Sequence, residues 1–314
     1  MTFPIFPNPA STIAEHTDRL FFVLSAFSLF VLALVFLPML VFLFRYRRGK
    51  AADRSALKLS TLKIEVTWTI IPVLIALSLF AWGADVYFTE EVPPPDTLEI
   101  NVVGKQWMWK MQHQEGNREI NELHLPVGRA VKLTMGSEDV IHSFFIPAFR
   151  IKQDVVPGRF TTEWFQPTQI GTYRLYCTEY CGAEHAQMQG TVYVLPPDQY
   201  QEWLARGAPR DSLAQSGEKL FRELGCSGCH VGNPKIHSPP LEGLYGRSVP
   251  LNDGTFVRAD DRYLRDSILL PASQVTAGYE PLMPTYQGRI TEDQLMQVIA
   301  YLKSIGHETP TNSK

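Results

Sequence analysis

Two long stretches near the start of the chain contain no charged residue, and the pattern after them is short and broken. Residues 20–44 and 66–84 lack Asp, Glu, Lys and Arg throughout. About 20 apolar residues in a helix cross the hydrocarbon of a bilayer. Both stretches are therefore read as membrane-spanning helices, over about residues 20–44 and 66–88, because buried core helices rarely lack charge for so long. Pro38 and Pro72 fall inside the spans, where neighbouring helices satisfy the backbone groups a proline frees.

Beyond Pro93-Pro94-Pro95 the texture changes to β-rich runs punctuated by Gly and Pro. Residues 98–103, 130–135, 172–176 and 190–195 are examples, and such spacing predicts a small all-β sandwich or barrel. Pro196-Pro197 closes this region, and a short helical linker follows at about 199–206. Gly207-Ala208-Pro209 then leads into helices and loops. A helix is expected over 216–224 with Ser216 as its N-cap, and another over 291–305. The organisation is thus an N-terminal segment with a helical hairpin (1–91), a β domain (92–197), a linker (198–211) and a helical domain (212–314).

Charge orients the hairpin. The loop between the spans carries Arg45, Arg47, Arg48, Lys50, Arg54, Lys58 and Lys63 against one acid, Asp53. The outer flanks are poor in bases, with Glu15, Asp18 and Arg19 on one side and Asp85, Glu90 and Glu91 on the other. The positive-inside rule puts the loop in the cytoplasm, and both termini and the later domains outside. The first positive charge is Arg19, so the basic start of a cleavable signal is missing and the first span is expected to act as its own targeting signal. The net charge of −3 and the lack of a basic patch argue against nucleic-acid binding.

Four cysteines fall in two pairs, Cys177 with Cys181 and Cys226 with Cys229. Outside the cytoplasm they are candidates for disulfides, but their neighbours favour metals. Cys226-Ser227-Gly228-Cys229-His230 is C-x-x-C-H, in which two thiols form thioethers to haem and the histidine ligates iron. The alternative is a redox disulfide. A methionine often completes such a site and raises its potential, and only Met283 and Met296 follow the motif. Met296 lies in the expected last helix and reads as core. Met283 sits in Pro281-Leu282-Met283-Pro284, which resembles the ligand loop of small class I cytochromes c. Residues 239–244 resemble that family's haem-edge loop. This resemblance spans roughly 212–308 and implies an all-α cytochrome c domain with one covalent haem c on Cys226, Cys229, His230 and Met283.

The other pair lies in Cys177-Thr178-Glu179-Tyr180-Cys181-Gly182-Ala183-Glu184-His185-Ala186-Gln187-Met188. Two thiolates, an imidazole and a thioether in twelve residues suit copper, since soft sulfur and imidazole select it. A second cysteine four residues on allows both thiolates to bridge two coppers. C-x-E-x-C-x-x-x-H-x-x-M resembles the binuclear copper A loop of cytochrome c oxidase subunit II. Residues 139–144, with His142, and 154–159 resemble that family's upstream segments in order and spacing.

The resemblance implies a cupredoxin-like Greek-key barrel holding two copper ions. Cys177 and Cys181 would bridge them, His142 and Met188 would complete one, and His185 with the Glu179 carbonyl the other. The Glu179 carboxylate would reach a magnesium ion shared with subunit I, or is an ordinary loop acid. Trp107, in Trp107-Met108-Trp109, matches the aromatic segment that receives electrons, or is a core aromatic of the barrel. Glu65 matches the acid at the mouth of a proton path, or is a plain interfacial residue. His16, His113, His124, His237 and His307 lie in no ligand pattern.

Together these features imply a multidomain membrane protein resembling subunit II of caa3-type haem–copper oxidases, in a bacterial cytoplasmic membrane. Its partners would be oxidase subunits I and III, membrane lipid, and an external electron donor such as a cytochrome c or a bc1-type complex. It would pass electrons from haem c to copper A and then to a haem in subunit I, where oxygen is reduced. The alternative is the same relay in a nitric oxide reductase. A related module without metal is disfavoured because all the copper ligands are present.

Overall fold

The computed structural model describes residues 6–49, 61–207, 211–231 and 238–305. Lys50, Asp53, Arg54, Lys58, Ala208, Pro209, His237 and His307 lie outside the described residues. The chain forms two compact units, one of them Thr12–Val92 and the other built from the residues before and after it.

The first unit is a helical hairpin of α1 (Thr12–Arg45) and α2 (Thr61–Glu91), with Pro38 and Pro72 accommodated inside. Neither helix has a polar side. Leu29, Phe30, Leu37 and Leu43 on α1, and Trp68, Leu77, Phe80 and Phe88 on α2, all leave more than half their surface uncovered. A helix that is apolar all round and yet uncovered requires lipid or partner helices around it. Both helices run beyond the uncharged stretches, and near their polar ends Thr17 Oγ1 donates to Glu90 Oε1 at 3.1 Å.

The second unit begins with a ten-stranded barrel. Its strands are β1 (Leu98–Lys105), β2 (Met108–His113), β3 (Arg118–Ile120), β4 (Glu122–Pro126), β5 (Val131–Ser137), β6 (His142–Ile146), β7 (Ile151–Val155), β8 (Thr161–Phe165), β9 (Gly171–Cys177) and β10 (Gln189–Leu195). They form two five-stranded sheets, β3-β2-β1-β5-β8 and β4-β10-β9-β6-β7. β1 runs parallel to β5 and β4 to β10, while the other neighbours are antiparallel, which makes the cupredoxin-like Greek-key arrangement. Alternation fixes the register: Leu98, Ile100 and Val102 of β1 and Val131, Leu133 and Met135 of β5 are buried in the core with Trp109, Phe144 and Leu175.

Two segments behave differently from their sequence reading. The residues just before α1 do not go with the hairpin. Ala10 donates its N–H to Ala148 and accepts from Thr168, and Ser11 Oγ donates to the Phe149 carbonyl at 2.8 Å. The linker is helical as expected, and it also packs on the barrel. α3 (Pro197–Gly207) starts on a proline, whose missing N–H costs nothing at a helix start. It buries Tyr200 and Leu204 against the barrel.

The helical domain contains α4 (Leu213–Glu223), α5 (Ser227–His230), a small ribbon of β11 (Ser248–Pro250) and β12 (Phe256–Arg258), α6 (Asp261–Leu269) and α7 (Glu292–Ser304). α4 begins one turn earlier than Ser216. Ser212 Oγ accepts from Gln215 N, and the Gln215 side chain accepts from Ser212 N, a reciprocal cap that outcompetes Ser216. Thr291 and Gln294 cap α7 in the same way. α4 and α7 cross at Gly217, where a Cβ would lie 1.9 Å from the Gln297 carbonyl oxygen, so only glycine allows the approach. Phe221, Leu264, Ile268, Leu295, Val298 and Leu302 form the core.

Candidate copper and haem centres

The first candidate centre lies where β6, β9 and the loop after β9 meet. β6 delivers His142 at its first residue, β9 delivers Cys177 at its last, and the loop to β10 returns Cys181, His185 and Met188 to the same point. Cys177 Sγ lies 3.8 Å from Cys181 Sγ, 3.9 Å from His142 Nδ1 and 3.3 Å from the Glu179 carbonyl oxygen. Cys181 Sγ lies 3.4 Å from His185 Nδ1 and 3.8 Å from Met188 Sδ. Every donor expected from the sequence therefore converges.

Burial and charge prepare the cluster. His142, Cys177, Cys181 and Met188 are buried. Burial pushes both thiols up, but contact with His142 and the backbone at Ser143 and Glu179 brings Cys177 well below the usual thiol range. Cys181 stays raised, by burial and then by the charge on Cys177. Burial lowers His142, and its contacts with Cys177 and Asp139 outweigh this to leave it raised. Those shifts describe the donors without metal; a divalent or monovalent copper would take the place of the protons.

Residues around the cluster aim it. His142 Nε2 donates to Asp139 Oδ1 at 2.9 Å, which leaves Nδ1 facing the sulfurs. Asp139 also accepts the Gln106 N–H at 2.8 Å. A Cβ on Gly104 would lie 2.9 Å from the His142 ring, so this glycine lets β1 close over the histidine. Asp139 lies within the quoted upstream segment, but its role emerges only with the fold. Gly104 and Gln106 carry no signal in the sequence.

The second candidate centre is a cavity of about 360 Å³ in the helical domain, lined by Cys226, Cys229, His230, Leu241, Met283 and Ile290 among mainly apolar neighbours. His230 Nδ1 donates to the Pro239 carbonyl at 3.1 Å, which fixes the tautomer with Nε2 free. Burial lowers the affinity of His230 for a proton, favouring the neutral ligand form. Met283 lines the cavity, whereas Met296 is buried in the α7 core. A cavity with two thiols, a neutral imidazole, a thioether and apolar walls fits a covalent haem.

Comparison with known proteins agrees with both centres. Residues 2–82 match the family model for the transmembrane domain of cytochrome c oxidase subunit II, and 117–194 the model for its periplasmic domain. Residues 214–306 match the model for cytochrome c. The chain belongs to the cytochrome c oxidase subunit II family. It is a fused subunit II, with a cytochrome c domain at its C-terminal end. A cytochrome c oxidase subunit 2 from Alkalihalophilus pseudofirmus is 29% identical over 88% of this chain and 85% of its own length. One from Thermostichus vulcanus is 28% identical over 76% of this chain and 91% of its own. The solved periplasmic domain of subunit II of cytochrome oxidase from Bradyrhizobium japonicum is 28% identical, covering 37% of this chain and 96% of that one, with a TM-score of 0.36. In a subunit II the periplasmic domain implies copper A, and the cytochrome c domain implies haem c.

The remaining expected residues are placed as follows. Trp107 rests on the copper loop, its Nε1 donating to the Cys181 carbonyl at 3.2 Å, while Trp109 is the fully buried core aromatic, edge-on to His142. Glu179 is exposed on the loop. Glu65 lies in the first turns of α2. Two histidines outside any ligand pattern turn out to be connected. Glu119 accepts from His113 Nε2 at 2.9 Å and from His124 Nδ1, His113 Nδ1 is bonded to Tyr200, and His124 is stacked between Tyr193 and Trp203.

Proposed function

We propose that this chain is the electron-input subunit of a caa3-type terminal oxidase. The convergence of two thiols, two imidazoles, a thioether and a carbonyl between 3.3 and 3.9 Å carries the reading. When bound, a covalent haem c and a binuclear copper A supply one-electron carriage from an external donor to the haem of subunit I. Cys226, Cys229, His230 and Met283, which line the cavity, would hold the haem. Cys177, Cys181, His142, His185, Met188 and the Glu179 carbonyl would together hold the copper pair. The barrel buries the two thiols, and Asp139 holds the His142 ring in place, which keeps reorganisation on electron transfer small.

In this reading the basic loop between the spans is cytoplasmic, and the copper and haem domains face the periplasm. The hairpin packs in lipid against subunit I and lies near subunit III. Glu179 would hold a magnesium ion shared with subunit I, Glu65 stands at the mouth of a proton path, and Trp107 is a candidate electron-entry residue on the copper loop. Glu65 and Glu179 together favour an oxidase over a nitric oxide reductase, because both serve features of subunit I.

The test is made on the full chain in detergent, since residues before α1 pack on the barrel. Metal and haem analysis should give two coppers and one haem per chain, with a seven-line copper electron paramagnetic resonance (EPR) pattern. One copper or none, with haem intact, overturns the copper A assignment.

A further inference from the structure

The outward face of the β3-β2-β1-β5-β8 sheet is polar, yet it is buried. Asn101, Gln112 and Thr134 point away from the barrel core, opposite Ile100, Met111 and Leu133, and are no more than 9% exposed. The haem domain covers them. Lys110 Nζ on β2 lies 2.8 Å from Glu138 of the barrel and 2.8 Å from Asp293 on α7. Gln112 Nε2 donates to the other Asp293 oxygen at 2.9 Å. Lys303 Nζ, near the far end of α7, lies 2.8 Å from Glu99 on β1 and 3.3 Å from Asp261.

Between these two clamps a side chain from α7 packs close to β5. A Cβ on Gly136 of β5 would lie 3.3 Å from both Glu292 Oε2 and the Phe160 ring. Glu292 is held by a two-pronged pair with Arg265, whose guanidinium sits 4.8 Å over Phe160. Phe160 comes from the barrel and packs against the haem-domain core. Arg265 is only 2% exposed.

We propose that this sheet face is a standing dock for the chain's own haem domain, that Lys110 is its principal positioning residue, and that electrons pass from haem to copper in this docked state. The proposal rests on the relay reading above. The dock links the two centres through a chain of bonded residues. Ile290 lines the haem cavity, and Glu292 and Asp293 follow it on α7. Lys110 joins Asp293 to Glu138, and the next residue, Asp139, accepts from the ligand His142. One electron leaves the reduced haem and reduces the copper pair by one; no bond forms or breaks, and no proton is required.

Two measurements on the full chain test the dock. A zero-length carbodiimide reagent joins amines to carboxylates only when they are already paired, and it needs no cofactor. Mass spectrometry should find Lys110 joined to Asp293 and Lys303 joined to Glu99 at low salt. Absence of both links in folded protein overturns the dock. In the copper- and haem-loaded chain, the variant Glu99→Lys/Asp293→Lys should slow flash-induced copper reduction by haem at least tenfold. It should also weaken the relaxation of the copper EPR signal by ferric haem, while Asp293→Glu keeps the wild-type rate. A double variant with normal spectra and a rate within twofold of wild type overturns the proposal. Failure to load copper or haem in the wild-type chain overturns the relay reading instead, and the cross-links still decide the dock.

Discussion

At the scale of single residues, the copper cluster depends on positions that hold no metal. Gly104 is the clearest. Any side chain there meets the His142 ring at 2.9 Å, in a place where Trp109 blocks retreat. Gly104→Val should displace His142 while leaving the strand paired. The expected result is fewer coppers per chain or a changed copper hyperfine pattern, with the haem spectrum intact. Met283 makes the opposite kind of test. If Met283 is the axial donor proposed above, Met283→Leu removes it while leaving Cys226, Cys229 and His230 in place to hold the haem. The midpoint potential should fall, and the methionine-to-iron absorption band in the oxidised spectrum should vanish. The proposed donors were legible in the sequence because each motif packs its donors into a few residues. His142 was legible only through resemblance, since it lies 35 residues upstream of Cys177. Asp139 and Gly104 act through a fold that brings β1 and β6 together, and local spacing carries no trace of that.

At the scale of elements, most of the pattern-based boundaries hold to within a few residues, and the departures have physical causes. Ser216 has the right chemistry for an N-cap, but Ser212 has a reciprocal partner in Gln215 and wins. α3 reads as a linker by its position between domains, whereas its apolar stripe of Tyr200 and Leu204 is what anchors it. The helix crossing at Gly217 is a sharper test of packing. Gly217→Ala drives a methyl into the Gln297 carbonyl, and overpacking of this kind costs about 1–3 kcal/mol. Guanidinium unfolding followed at the haem band should shift to lower denaturant accordingly. The Glu119 network that fastens α3 responds to acid. Burial raises the Glu119 carboxyl, but the bonds from His113 and His124 outweigh it, so its folded value lies below the ordinary 4.5. Its stabilisation is complete above that ordinary value and disappears as pH falls through the folded one. Glu119→Gln should destabilise the barrel by about 2 kcal/mol at neutral pH, as expected for disrupting a buried charged bond. The deficit should shrink on acidification, a trend that thermal melts from pH 7 to pH 3 would follow.

At the scale of the whole molecule, a membrane hairpin, a copper barrel and a haem domain were all visible in outline, because each has its own periodicity and punctuation. Their mutual contacts were not visible. Lys110, Glu99 and Lys303 look like ordinary surface charges until the sheet face and α7 meet, and no local pattern marks a charge that will be covered by another domain. Nor did the sequence show that the residues before α1 join the barrel, since the bonds from Ala10 and Ser11 run to Ala148 and Phe149, more than 130 residues away. One further consequence follows from α3. Because that helix packs on the barrel up to Gly207, and Leu213 N–H bonds to the Gln114 carbonyl, only five residues of chain separate it from α4. A leash of about five residues reaches no more than about 18 Å even when fully stretched. If the clamps opened, the haem domain would still meet its dock at an effective concentration in the millimolar range or above. Contacts too weak to join two separate molecules are therefore sufficient within this chain, so polar and exchangeable ion pairs serve where a free donor would need a broad apolar interface.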